Sequence, residues 1–139
     1  MAIIAGAGNP AGSGGTSGIG KGLNYIGEHA FAYNNYPAET TASAKLDFIS
    51  GSGYMVGRFT LGPLINPTDT TDGKKSNCQI QINDETVATL ALDMPGDPQV
   101  NIWVDIIIPP YSHVEAVIKG QVDSSSYTGS IGYTGRVYA

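Results

Sequence analysis

Cysteine occurs once in the 139 residues, tryptophan once and histidine twice, while lysine and arginine together number seven. Each scarcity excludes something. A lone Cys78 rules out an internal disulfide and any zinc site built from several thiolates. Within "SNCQIQIN" it alternates with polar residues, so it reads as a small buried apolar side chain. The basic residues Lys21, Lys45, Arg58, Lys74, Lys75, Lys119 and Arg136 are scattered, and the formal net charge is -5. That balance argues against a nucleic-acid partner, whose affinity comes largely from cations displacing counterions on phosphates. No apolar run approaches the ~20 residues that span a bilayer. The opening "MAIIAGAGNP" has neither the basic flank nor the apolar length of a signal peptide. The expectation is a soluble chain made in a cytoplasm, with no membrane partner. Charged residues are only 14% of the total against 41% hydrophobic, which suits one globular domain with a sparsely charged surface.

Glycine is abundant, and unevenly placed. Residues 1–24 hold eight of the 19 glycines. Such a stretch cannot bury enough apolar surface to offset its backbone entropy, so it is expected to be an arm seated on a neighbouring surface. Its contact residues would be Ile3, Ile4, Asn9, Pro10, Ile19 and Lys21. Within it, "GSGGTSGIGKG" matches most of a P-loop, but Gly22 stands where Ser or Thr must hold magnesium. The same letters resemble the cofactor turn of short-chain dehydrogenases. That family needs a parallel sheet with helices and a Tyr-x-x-x-Lys pair, and none of the eight tyrosines has Lys four positions on. No nucleotide cofactor is expected.

From residue 25 onward the hydrophobic period is two. "NCQIQIN" sets Cys78, Ile80 and Ile82 against Gln79, Gln81 and Asn83. "VNIWVDIII" sets Val100, Ile102, Val104, Ile106 and Ile108 against Asn101, Trp103 and Asp105, and "SIGYTGRVY" alternates likewise. Alternation of this kind marks half-buried antiparallel strands. The pattern predicts eight strands, near 26–35, 43–50, 53–61, 76–83, 86–93, 100–108, 112–119 and 130–138, separated by turn residues such as "SGSG", "NDE", "MPGDP" and "PPYS". No stretch makes a convincing amphipathic helix. The fold class expected is an all-β, antiparallel eight-stranded β-sandwich over 25–139, a jelly roll before an immunoglobulin-like sandwich. The loop from Gly62 to Asn77 is long and is expected to project from it, as a contact loop or an inert excursion.

Catalytic constellations are thin. Ser112 and His113 are adjacent, so on a strand their side chains point to opposite faces and do not form a base–nucleophile pair. His29 has no metal-ligand spacing to His113. "DTTDGKK" offers Asp69 and Asp72 to a calcium ion but lacks the EF-hand spacing, and a solvated turn is the plainer reading. Asp105 and Glu115 could be a carboxylate pair, yet both alternate with buried positions and read as outward solvating charges. The expectation is no enzyme, no cofactor and no metal.

Aromatics point to binding instead. Tyrosine outnumbers phenylalanine eight to three, and its ring and hydroxyl suit wet interfaces and sugars alike. Tyr36, Trp103, Tyr111 and Tyr127 are the candidate surface-binding aromatics. Taken with "VDIIIPPYSHVEAVIKG", "ISGSGYMVGRFTLG" and the closing "GSIGYTGRVYA", the chain resembles the small jelly-roll virion proteins: the decoration or cement proteins of tailed-phage heads and, more distantly, pentons and spikes. The resemblance is one of style, covers about residues 25–139, and transfers no functional residue. It implies a homo-oligomer, a trimer by preference, on the outside of a capsid, partnered by a major capsid protein and made in a host cytoplasm. The alternative is a receptor- or carbohydrate-binding jelly roll such as a spike or fibre head, which requires an exposed aromatic platform.

Overall fold

The computed structural model describes residues 21–92 and 101–139, with residues 69–72 described by their backbone alone. Arm residues Ile3, Ile4, Asn9, Pro10 and Ile19, and the "MPGDP" turn, lie outside the described residues. Among the described residues eleven strands form: β1 (Asn24–Ile26), β2 (His29–Ala38), β3 (Ser43–Ile49), β4 (Tyr54–Leu61), β5 (Leu64–Asn66), β6 (Asp69–Lys74), β7 (Ser76–Ile82), β8 (Glu85–Leu92), β9 (Ile102–Ile108), β10 (His113–Gly120) and β11 (Ser124–Tyr138). Every pairing is antiparallel. The eight expected strands are β2, β3, β4, β7, β8, β9, β10 and β11. The three additions are short, and two of them correct the sequence reading of the Gly62–Asn77 loop. There β5 and β6 pair with each other, and Ile65 of β5 joins Thr128 of β11, so the loop is tied back to the large sheet.

The large sheet runs β1-β2-β11-β4-β9 and the small sheet β3-β10-β7-β8. Numbered among the eight main strands, these orders are 1-8-3-6 and 2-7-4-5. First pairs with last, second with seventh, third with sixth and fourth with fifth. This nesting is a long hairpin rolled into two facing sheets, the jelly roll, and it excludes the immunoglobulin order.

The inward faces are those the alternation names. Cys78 and Ile80 of β7, Val114, Ala116 and Ile118 of β10, and Ile131, Tyr133 and Val137 of β11 are all buried. Each large apolar side chain so placed contributes about 1.5–3 kcal/mol relative to exposure. Tyr133 centres the core, its ring 4.7 Å from Phe59 in its own sheet and 6.1 Å from Phe48 in the facing one. Beside it Gly135 and Gly57 sit opposite each other on β11 and β4. A Cβ on Gly135 would run into the Tyr133 hydroxyl, and one on Gly57 into the Thr134 carbonyl. Glycine there makes room for the tyrosine. Leu23 is 5% exposed and belongs to this core.

Candidate functional site

Strand register fixes what the outer face of the large sheet displays. Because Gly132 faces both Tyr33 and Thr60, and Thr60 faces Trp103, these side chains share one cross-strand row. The next row holds Phe31, Thr134, Arg58 and Asp105, and the next His29, Arg136, Val56 and Ile107. Tyr54 and Tyr138 close the face, their rings stacked at 5.1 Å. Trp103 is 54% exposed and Ile107 63%, with Tyr33, Tyr54, Val56 and Tyr138 also exposed. One face of one sheet therefore presents a broad aromatic and aliphatic surface.

Its charges are neutralised internally. Arg58 holds Asp105 through both carboxylate oxygens, Nε to Oδ1 at 2.8 Å and Nη2 to Oδ2 at 3.3 Å. The guanidinium also lies 3.8 Å from the centre of the Trp103 ring, so it covers one face of that indole. This pairing holds the Asp105 carboxyl below its usual range. Arg136 bonds Glu28 at 2.8 Å, and its guanidinium stands 5.6 Å from the Tyr138 ring centre. A face whose cations and anions already match needs no charged partner.

At the far end of this face a cleft of about 810 Å³ opens between Tyr33, Asn35, Pro63, Ile65, Asn101 and Ser130. Its floor is β11. The Tyr33 ring lies across Gly132, where a Cβ would stand 2.9 Å from the ring edge. The ring also lies 5.5 Å from Phe31. Asn34 turns aside and donates to the Lys45 carbonyl at 2.7 Å.

The four candidate surface-binding aromatics lie on different elements. Trp103 lies on the open face as required, but Tyr36 is 4% exposed and unavailable to a surface ligand. The correction has a physical reason: at Tyr36 the alternation of β2 points into the core, and Gly129 approaches its hydroxyl end. Tyr111 is 71% exposed, in the turn between β9 and β10, with its N–H bonded to the Gly51 carbonyl. Tyr127 is half-buried where the register of β11 shifts, with the Lys74 ammonium 5.3 Å from its ring centre. Lys21 is exposed, and its carbonyl accepts the Asp47 N–H at 3.0 Å. Sequence reasoning missed Tyr33, Tyr54 and Tyr138 as a group, because only register brings them to one face.

Ser112 is buried, while His113 turns outward to Asp47, its Nε2 2.6 Å from Oδ1. That hydrogen bond, aided by the charges of Glu115 and Asp84, raises the His113 pKa. Asp105 and Glu115 stand on different sheets and form no carboxylate pair. Asp69 and Asp72 lie on β6 rather than in a turn. Cys78 is buried and free, its thiol pushed up to about 12 by burial. Among the described residues, Asp47, His113 and Glu115 are the one group able to offer three ligand atoms to a metal.

No protein-family model matches the chain, and no curated protein matches it. Among solved structures it is similar to the C-terminal domain of EclA, described as a sugar-binding protein. The identity is 13% over 77% of this chain and 78% of that one, with a TM-score of 0.42. At that distance the likeness carries no ligand across.

Proposed function

We propose that the chain is a non-enzymatic structural protein that assembles with copies of itself through the outer face of the large sheet, in the role of a capsid decoration or cement protein. The observation that carries this reading is the aromatic face. Monomeric proteins rarely expose a contiguous apolar patch beyond a few hundred Å². The four strands that carry these rows, about 4.8 Å apart and about seven residues long at about 3.3 Å each, project roughly 450 Å², with Thr60, Thr134, Arg58 and Asp105 set among the apolar side chains. That is more than half of the ~800 Å² a standard interface takes from each partner, before the surrounding loops are added. The internal pairing of Arg58 with Asp105 and Arg136 with Glu28 suits a second copy, which brings the same balanced charges. The capsid role rests on the jelly roll and on the style of the sequence.

Sedimentation equilibrium tests the assembly. The chain is expected to be a closed oligomer, a trimer by preference, and Ile107→Asp to shift it to a folded monomer. A wild-type monomer at all concentrations would overturn the reading. Co-sedimentation with heads of the virus that encodes the chain tests the capsid role.

A second reading is carbohydrate binding in the cleft. It is favoured by the Tyr33 ring, whose edge packs over Gly132, in a cleft shared with the exposed amides of Asn35 and Asn101 and the hydroxyl of Ser130. A ring beside convergent amides and hydroxyls suits an uncharged polar ligand. A glycan array probed with the full chain, and with Tyr33→Ala, decides it. Hits lost in the variant support the reading, and an array without hits removes it.

A further inference from the structure

We propose that Asp47, His113 and Glu115 form a surface site for a divalent transition-metal ion, with Zn²⁺ as the occupant its donor set fits best. The site lies on the outer face of the small sheet, on the side of the sandwich away from the aromatic face, and is independent of the assembly proposed above. His113 and Glu115 are two residues apart on β10 and so point to the same side. Asp47 of β3 stands directly opposite Glu115 in the ladder. The Nε2 of His113 is 2.6 Å from Oδ1 of Asp47, and the three ligand atoms all lie within 4.8 Å of one another. Zinc bonds of about 2.0–2.2 Å to nitrogen and oxygen put neighbouring tetrahedral ligands roughly 3.3–3.5 Å apart. Opening the His113–Asp47 contact and drawing Glu115 in would bring the three atoms to that spacing.

Two further features favour a cation here. Like charges facing each other across a ladder are unfavourable, and Glu115 faces Asp47 with the carboxylate of Asp84 near by. Among the described residues no Lys or Arg forms an ion pair with Asp47 or Glu115. The backbone beneath the ligands is also firm. The N–H of His113 donates to the Asn83 side-chain oxygen at 2.9 Å, and its carbonyl accepts the Asn83 N–H at 2.8 Å. One imidazole and two carboxylates suit zinc, cobalt or nickel better than a soft ion that wants thiolate or a hard one that wants oxygen alone. Water completes the shell.

Isothermal titration of the full chain with zinc chloride tests the site, with the thermal unfolding midpoint followed in parallel. One equivalent is expected to bind and raise the midpoint. His113→Gln and Glu115→Gln should each weaken binding by about tenfold or more, the order of loss typical when a metal site is perturbed. Each variant's shift is read against its own metal-free midpoint, because His113→Gln gives up the hydrogen bond to Asp47 and Glu115→Gln relieves the two facing carboxylates. His29→Gln, which alters the other histidine, should bind like the parent. Absence of binding, undiminished binding by His113→Gln, or loss in His29→Gln instead would each overturn the proposal.

Discussion

Tyr133 carries a hydroxyl into the centre of the core, where it has no hydrogen-bond partner among the described residues. Burial pushes its pKa up, which favours the neutral phenol. An unsatisfied buried hydroxyl costs stability, whereas the ring it belongs to fills the space over Gly57 and Gly135. Tyr133→Phe keeps the ring and removes the cost. Urea unfolding of this variant is expected to show stability unchanged or raised by about 1 kcal/mol. A clear loss would mean that the hydroxyl finds a partner, such as a buried water. Cys78 gives a second prediction at this scale. Its thiol is buried and its pKa raised to about 12, so a thiol-specific reagent should leave the native chain untouched and titrate one thiol in denaturant. Prompt labelling of the native protein would contradict this placement.

Between neighbouring strands, fit is set by what the two glycines leave out. Gly57→Ala would press a methyl onto the Thr134 carbonyl and the backbone of Gly135, neither of which can swing aside. Overpacking of this kind costs about 1–3 kcal/mol, so the urea midpoint of Gly57→Ala should fall accordingly, and an unchanged midpoint would show that β4 and β11 separate easily. This scale also shows what the sequence could reveal. The eight main strands were legible because their apolar residues recur at every second position. β5 and β6 were not, because "LINPTDTTDGK" has no such alternation and pairs through its backbone. The first half of β11, "SSSYTG", was hidden for the same reason. Alternation correctly turned Trp103, Asp105 and Glu115 outward. It could not say that Trp103 shares a face with Tyr33 and Tyr138, nor that Glu115 meets Asp47, since those facts belong to the ladder between distant segments. Tyr36 shows the converse error: abundance of tyrosine says nothing about which ones point inward.

For the molecule as a whole, exposed ion pairs set the response to acid. The carboxyl of Glu39 is held low by its hydrogen bond to Lys45, that of Asp105 by Arg58, and that of Asp123 by the Thr40 N–H and hydroxyl. Carboxylates depressed in the folded state stabilise it fully above their unfolded values, near pH 4, and lose that contribution as pH falls through the folded values. Between pH 5 and 8 these three groups should therefore leave the unfolding midpoint flat, with a decline beginning below about pH 4. Asp123 also ties two strand ends together, since it bonds Thr40 at both the N–H and the hydroxyl. Asp123→Asn should weaken the acid decline, measured by thermal melts across that range, and an identical profile would remove this residue from the account.

The nested strand order has a consequence for how the chain reaches its fold. β11 is made after every other strand, yet it occupies the middle of the large sheet, hydrogen-bonded to β2 on one side and β4 on the other. Until it emerges from the ribosome, β2 and β4 have open edges and the future core has no Tyr133. Six of the nine strand pairings join segments far apart in sequence, which slows folding and leaves sticky edges waiting. A nascent chain of this design is held from aggregation by what meets it before it is complete, so its yield in a cell should depend on chaperones more than on the stability of the finished sandwich.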